Sequence, residues 1–333
     1  MKRKRALLEY YIGVDLAGDD KKGKGSSSVA RISRVKGEFV FDFPNKTGKA
    51  WSERAGLERI AELARTSRVT AVDQPFSWSA ETLKLIICSE TAKGNTNDET
   101  FFWRNTDRAM KNLLEALQFP KETSHYYIVS PNQCINIWRA LALARIVGFS
   151  REQVCRLKTK QPKFIETHPR LAIAVLLSYA LSGEKLIDAV RRYKETALVR
   201  RLLKSNTKRT NTKASKAESE ANAILAKNEI KALRTARNVL IKNIDQLFQV
   251  KPLNSAERDF ALKTSDNIEA LICAVVAFLF ERNRAHAYLT KDFARENLVH
   301  EGAAVLPNLK GGKAVYIRTK ANLKSAADCN LFI

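Results

Sequence analysis

The chain of 333 residues is 45% hydrophobic and 28% charged, which excludes a fully disordered protein and allows a sizeable buried core. Its 58 Lys and Arg residues outnumber its 35 Asp and Glu residues, and the resulting net charge of +23 predicts a polyanionic partner, with a merely solubilising surface as the alternative. Five widely spaced cysteines without a CxxC pair disfavour a disulfide framework and a zinc site.

Three strands, which we expect to be antiparallel, open the chain. YYIGVDL at 10–16 has the apolar character of a buried strand. Two alternating runs follow at 28–35 and 38–43, and Lys36-Gly37 between them is typical of a tight hairpin. Residues 52–66 then carry apolar side chains at helical spacing behind a serine that can cap the helix.

The later elements alternate between strands and helices, which favours an α/β fold. In chain order they are a strand at 69–78, a mixed helical region at 79–118, a strand at 126–131, a helix at 133–147, a strand at 163–167, an apolar helix that begins at His168-Pro169, a buried helix from 265, and two apolar runs, EGAAVLP and KAVYIR, that predict an edge strand or a closing hairpin.

A change of composition predicts one domain with an insertion. The stretch 183–251 is helical in pattern, and between 191 and 216 it has ten Lys or Arg residues against one acid. We interpret 183–251 as a basic helical insertion between the first part of the domain, 8–182, and its final part, 252–333. The residues that we expect to contact a nucleic acid are Lys21, Lys22, Lys24, Arg200, Arg201, Lys204, Lys208, Arg209 and Lys213.

Carboxylates recur where the predicted strands end. Asp15 and Asp73 each interrupt an apolar strand at its carboxyl end, where a charge is costly to bury without a partner such as a metal ion. Glu166 follows a third strand, and Asp266 and Glu269 share one face of the last helix, although helix capping is an alternative account of these two. We predict that these five are catalytic and that all but Glu166 bind Mg²⁺ or Mn²⁺, which prefer oxygen ligands.

Five short motifs carry a resemblance to a known family. They are GVDLAG at 13–18, AVDQPFSW at 71–78, RNTDR at 104–108, ETHPR at 166–170 and SDNIEAL at 265–271. In this order they resemble the DUF four-two-nine family of predicted nucleases, over most of the chain except the insertion and the termini. The resemblance implies a ribonuclease H-like α/β fold, with a mixed sheet of three antiparallel strands followed by parallel strands, flanked by helices.

The resemblance also implies roles for individual residues. It makes Asp15 and Asp73 the carboxylates of the first and fourth strands, Asp266 and Glu269 those of the final helix, Glu166 with His168 a Glu-x-His-Pro element, and Arg104 with Asp107 an Arg-x-x-Asp element. The last motif departs from the family's pattern, because Ser265 replaces an acid and Glu269 replaces an aspartate. Arg104 and Asp107 support a phosphate or metal site or form a structural ion pair, and His168 orients or caps a helix rather than acting as a base.

The leading hypothesis is therefore a metal-dependent nuclease that cleaves DNA or RNA by a two-metal-ion mechanism, with Glu166 or Glu269 completing the shell. A non-catalytic nucleic-acid-binding protein on the same scaffold is the alternative, and an ATPase or phosphotransferase of the actin and sugar-kinase type is a third.

The longest apolar run, 270–280, is shorter than the roughly 20 residues of a membrane-spanning helix. We expect a cytoplasmic protein without a membrane partner. The sequence is compatible with a monomer and with a homodimer.

Overall fold

A computed structural model of the chain describes residues 10–16, 27–46, 53–77, 104–117, 134–155, 163–193, 216–287, 302–308, 316–318 and 323–325. The strands are β1 (Tyr10–Asp15), β2 (Ser28–Val35), β3 (Glu38–Asp42), β4 (Val69–Val72), β5 (Lys163–Thr167), β6 (Val250–Pro252), β7 (Ala285–Ala287), β8 (Ala304–Pro307), β9 (Tyr316–Arg318) and β10 (Leu323–Ser325). The helices are α1 (Glu53–Thr66), α2 (Asn105–Ala116), α3 (Cys134–Val147), α4 (Arg151–Cys155), α5 (Pro169–Ser178), α6 (Gly183–Arg192), α7 (Lys216–Phe248), α8 (Ser255–Lys263) and α9 (Ser265–Glu281).

Eight of these strands form one mixed sheet in the order β6-β3-β2-β1-β4-β5-β8-β7. Strand β2 is antiparallel to both β1 and β3, whereas β4, β5 and β8 run parallel to β1. The predicted order of antiparallel strands followed by parallel ones holds for these described strands. The predicted α/β class with a mixed sheet flanked by helices is thus confirmed. None of the helices among the described residues has both the length and the apolar character needed to cross a membrane.

The β2–β3 hairpin follows directly from its turn residues. Lys36 and Gly37 both adopt positive φ angles, 50° and 89°, which is the conformation of a type I′ turn. This turn matches the right-handed twist of the flanking strands, and the register pairs Val35 with Glu38 directly beside it. The predicted hairpin at these two residues is confirmed.

The sheet buries a different helix layer on each face because side chains alternate along a strand. On β1, Tyr11 packs into a cluster with helices α5 and α9. Its neighbours Tyr10, Ile12 and Val14 pack on the opposite face, in a cluster with α1 and α3. Residues of β1 with odd numbers therefore face α9.

Two apolar runs near the carboxyl terminus, which predict an edge strand or a closing hairpin, both contain strands. The run EGAAVLP contains β8, which is not an edge strand, since it pairs with β5 on one side and with β7 on the other. The run KAVYIR contains β9, which pairs with β10 in an antiparallel register. The strand predicted at 126–131 lies outside the described residues.

The helices of the predicted insertion share the core of the sheet. Leu186 and Val190 of α6 and Leu240 and Ile244 of α7 belong to the same hydrophobic cluster as α5 and α9. Strand β6, which begins inside the range predicted for the insertion, pairs with β3. The division into 8–182, 183–251 and 252–333 stays a prediction.

Candidate metal centre

Two of the predicted carboxylates meet because their strands are parallel neighbours. The register pairs Val14 of β1 with Val72 of β4, so Asp15 and Asp73 follow at equivalent positions. The backbone N–H of Asp73 donates to the carbonyl of Val14 at 2.9 Å, which extends the pairing past the end of β4. Both side chains therefore lie at the carboxyl edge of the sheet, on the face that α9 covers.

A glycine brings the third carboxylate to this edge. A Cβ atom at Gly13 would lie 2.1 Å from both the carbonyl oxygen of Ala270 and the nitrogen of Ala274, so the backbones of β1 and α9 touch there. Glu269 immediately precedes Ala270, and Asp15 lies two residues beyond Gly13 on the same face of β1. The close approach of the helix thereby delivers Glu269 to the two aspartates.

Carboxylate oxygens of Asp15, Asp73 and Glu269 all lie within 4.8 Å of one another. Glu269 is buried and the two aspartates are half-buried. Two unit charges at that distance repel by about 3 kcal/mol at an effective dielectric constant near 20. Three hard oxygen donors in such proximity, partly withdrawn from water, form a site that a divalent cation such as Mg²⁺ or Mn²⁺ fits.

The donors of this site are all oxygens, although a thiol lies near. Burial raises the pKa of the Cys273 thiol well above its ordinary value, and the neighbouring charges of Asp73 and Asp15 raise the pKa further. The thiol is therefore protonated when no metal is bound. Among the described residues its sulfur is not one of the ligand atoms that cluster with the three carboxylates. This environment favours hard cations over metals that prefer sulfur ligands.

The structure separates Asp266 from the other carboxylates. Asp266 is exposed, and it is not among the carboxylates that cluster within 4.8 Å in the described part of the chain. At a rise of 1.5 Å per residue, Asp266 lies about 4.5 Å from Glu269 along the helix axis, towards the amino terminus of α9. Thr264, not Asp266, caps α9, because its hydroxyl accepts from the N–H of Asn267 at 3.2 Å. The structure thus assigns the cap to Thr264 and places Asp266 outside the cluster, and a metal contact of Asp266 stays a prediction.

Glu166 lies in a buried ion network rather than among the clustered carboxylates. Its two oxygens accept from the guanidinium of Arg104 at 2.8 and 2.7 Å, and the same guanidinium pairs with Asp107 at 2.9 Å. Burial opposes the charge on Arg104, but Asp107 and Glu166 outweigh it and hold the pKa of the guanidinium well above its ordinary value. The ion-pair alternative for Arg104 and Asp107 is therefore what the structure contains.

This network also supports the site. Glu166 accepts from the backbone N–H of Phe76 at 3.2 Å, three residues after Asp73. Burial raises the pKa of Glu166, and the charge of Arg104 lowers it. The carboxylate thus anchors the segment that follows β4, which indicates a positioning role for Glu166 rather than direct participation.

His168 is the N-cap of α5. Its Nδ1 accepts from the backbone N–H of Leu171 at 3.3 Å, and Pro169 occupies the first helical position. The Glu-x-His-Pro element therefore serves the start of a helix, in agreement with the capping role that the sequence favours.

Sequence reasoning missed a contact to Glu269 from a distant helix. The hydroxyl of Tyr193, directly after α6, donates to Oε1 of Glu269 at 2.7 Å. Burial raises the pKa of Tyr193 well above its ordinary value, and the charge of Glu269 raises it further, so the hydroxyl keeps its proton. Seventy-six residues separate the two, and no local pattern signals such a pair.

The predicted nucleic-acid contacts lie outside the described residues. This holds for Lys21, Lys22, Lys24, Arg200, Arg201, Lys204, Lys208, Arg209 and Lys213. Comparison of the chain with protein-family models, curated proteins and solved structures gave no match. The resemblance to the DUF four-two-nine family therefore depends on the five motifs alone.

Proposed function

We propose that this protein is a metal-dependent nuclease that hydrolyses phosphodiester bonds of DNA or RNA. The observation that carries the proposal is the meeting of Asp15, Asp73 and Glu269 within 4.8 Å at the carboxyl edge of the sheet. Ligand sites in open α/β sheets commonly lie outside this edge. The arrangement that the ribonuclease H-like assignment requires, three antiparallel strands followed by parallel ones, also supports the proposal.

The three clustered carboxylates are the residues that would hold Mg²⁺ or Mn²⁺. When bound, such ions activate a water molecule and stabilise the leaving oxygen of an in-line phosphodiester displacement. The chain's own task is to keep three like charges together, which the contact at Gly13 and the network around Glu166 support. In this proposal Asp266 is not a ligand.

Charge supplies the argument for the substrate class. A net charge of +23 would repel itself unless a polyanion neutralised part of it, and nucleic acids are the most abundant linear polyanions in cells. A cluster of carboxylates by itself would repel phosphate. If the carboxylates of Asp15, Asp73 and Glu269 held divalent cations, their negative charge would be neutralised, and an acidic site would then be compatible with a polyanionic substrate.

The test is a cleavage assay with labelled single-stranded, duplex and branched DNA and RNA, in Mg²⁺, in Mn²⁺ or in chelator. We expect cleavage only with metal, and its loss in an Asp15→Asn, Asp73→Asn double variant. Asp188→Asn is the matched control, because Asp188 is a 57% exposed carboxylate on α6 that pairs with Arg192 on the same helix.

Two results would contradict the proposal. The first is cleavage that persists in chelator or in the double variant. The second is tight, salt-sensitive binding of nucleic acid without cleavage under any metal, which would identify the chain as a binding module with a non-catalytic acidic cluster.

A further inference from the structure

A buried tyrosine links the third carboxylate of the site to two neighbouring helices. Tyr193 is 1% exposed and donates its hydroxyl hydrogen to Oε1 of Glu269 at 2.7 Å. The same hydroxyl oxygen accepts from Nε of Arg170, on α5, at 3.3 Å. The hydroxyl thus accepts one hydrogen bond, from Arg170, and donates one, to Glu269.

The backbone of Tyr193 is held from α7 as well. Nε of Arg237 donates to the carbonyl oxygen of Tyr193 at 3.0 Å, and Nη1 of Arg237 donates to the carbonyl of Leu262 at 2.9 Å. Arg237 is 2% exposed, so its charge is withdrawn from water, and these carbonyls help to solvate it. Leu262 belongs to α8, which leads directly into α9 and Glu269. The same arginine therefore holds the tyrosine and the end of α8, the helix that directly precedes α9.

We infer that Tyr193 is a positioning residue that holds Glu269 in place for metal binding, an inference that rests on the proposed metal site. Glu269 has three rotatable side-chain bonds, and repulsion from Asp15 and Asp73 favours rotamers that move its carboxylate away. A hydrogen bond from a rigid, buried phenol opposes this movement. Carboxylates that bind metals are commonly held by such partners, and loss of the partner weakens metal affinity by about 10- to 100-fold.

The experiment uses Tyr193→Phe in the full-length chain, with Mn²⁺ alone as the probe and its binding measured by electron paramagnetic resonance of the free ion. We expect the dissociation constant for Mn²⁺ to rise by about 10- to 100-fold. Tyr179→Phe is the matched control. Tyr179 also donates its hydroxyl to a partner, but that partner is the carbonyl of Asn308 and not a carboxylate of the cluster, so we expect the affinity for Mn²⁺ to stay at the wild-type value.

A second variant protects the test against a folding defect. Arg170→Gln leaves the phenol in place and removes the donor that orients it, so we expect a smaller loss of Mn²⁺ affinity than with Tyr193→Phe. Adding Tyr193→Phe to Glu269→Gln should cost no further affinity, because the tyrosine acts through that carboxylate.

The outcomes separate this inference from the proposed function. If Glu269→Gln weakens Mn²⁺ binding while Tyr193→Phe and Arg170→Gln leave it unchanged, the positioning role is wrong and the metal site stands. If the wild-type chain binds no Mn²⁺, the metal site is wrong and the inference with it.

Discussion

Removal of one charge from the carboxylate cluster should stabilise the protein when metal is absent. In Asp73→Asn, repulsion between residue 73 and both Asp15 and Glu269 disappears while the shape of the side chain is kept. Each pair repels by about 3 kcal/mol at 4.8 Å and a dielectric constant near 20. Because Asp73 and Asp15 are half-buried, solvent screens much of this energy, and we expect a net gain of about 1 to 3 kcal/mol.

The same substitution should remove the stabilisation that metal provides. A cation that binds only the folded state adds about 2.7 kcal/mol to the free energy of unfolding at 100 times its dissociation constant. Urea unfolding in chelator and in Mg²⁺ measures both effects. We expect Asp73→Asn to be more stable than wild type in chelator and to gain little from Mg²⁺. Asp188→Asn on α6 should respond to Mg²⁺ as the wild type does.

Asp266→Asn tests the choice of ligands in the same assay. Asp266 is exposed and lies outside the cluster, so its neutralisation should leave the stabilisation by Mg²⁺ intact. The reasoning about the cluster would be refuted if Asp73→Asn lowered the stability in chelator or retained the full stabilisation by Mg²⁺. If Asp266→Asn lost the stabilisation by Mg²⁺ to the same extent as Asp73→Asn, Asp266 would be identified as a metal ligand.

Three further predictions concern the supports of the site. Gly13→Ala places a Cβ atom 2.1 Å from backbone atoms of α9 and should lower the free energy of unfolding by more than about 3 kcal/mol. Gly37→Ala, at a φ of 89° in open space, should lower it by only about 1 kcal/mol. Similar losses for the two variants in urea unfolding would contradict the close packing at Gly13. Arg104→Met leaves two buried carboxylates without their cation and should lower the free energy of unfolding by about 3 to 5 kcal/mol. Arg31→Met, in an ion pair whose side chains are 35% and 14% exposed, should cost clearly less, about 1 kcal/mol. Equal costs in urea unfolding would argue against the buried network. Burial raises the pKa of Cys155 from 9.0 to about 12, so between these pH values the unfolded chain loses a proton that the folded chain retains. As the pH rises through this range, the thiol should therefore lower the free energy of unfolding by about 1.4 kcal/mol per pH unit. In Cys155→Ala the free energy of unfolding should fall less steeply between these pH values. An unchanged slope would contradict the raised pKa of Cys155.

Local pattern was sufficient for the elements that build the edge of the sheet. Apolar runs that end in a carboxylate predicted β1 with Asp15 and β4 with Asp73, and the turn at Lys36-Gly37 predicted the hairpin. These features depend on residues close in sequence, since strand alternation and turn geometry are short-range properties. The meeting of Asp15 with Asp73 followed as soon as β1 and β4 were parallel neighbours.

Tertiary packing decided which residues complete the site. The sequence places Asp266 and Glu269 on one face of a helix and cannot choose between them. The choice depends on where α9 crosses β1, and the backbone contact at Gly13 sets that crossing next to Glu269. The pairing of Arg104 with Glu166 spans 62 residues in the same way.

The same limit applies to Tyr193, whose partner lies 76 residues away on another helix. Nothing near Tyr193 in the chain distinguishes it from any apolar aromatic residue at a helix end. A buried hydroxyl must find a partner, but which partner it finds depends on how α5, α6, α7 and α9 pack together. The sequence by itself determined β1 to β5 and the two aspartates at the ends of β1 and β4. The tertiary structure decided the third carboxylate and the groups that hold it, because those contacts join segments that only the folded core brings together.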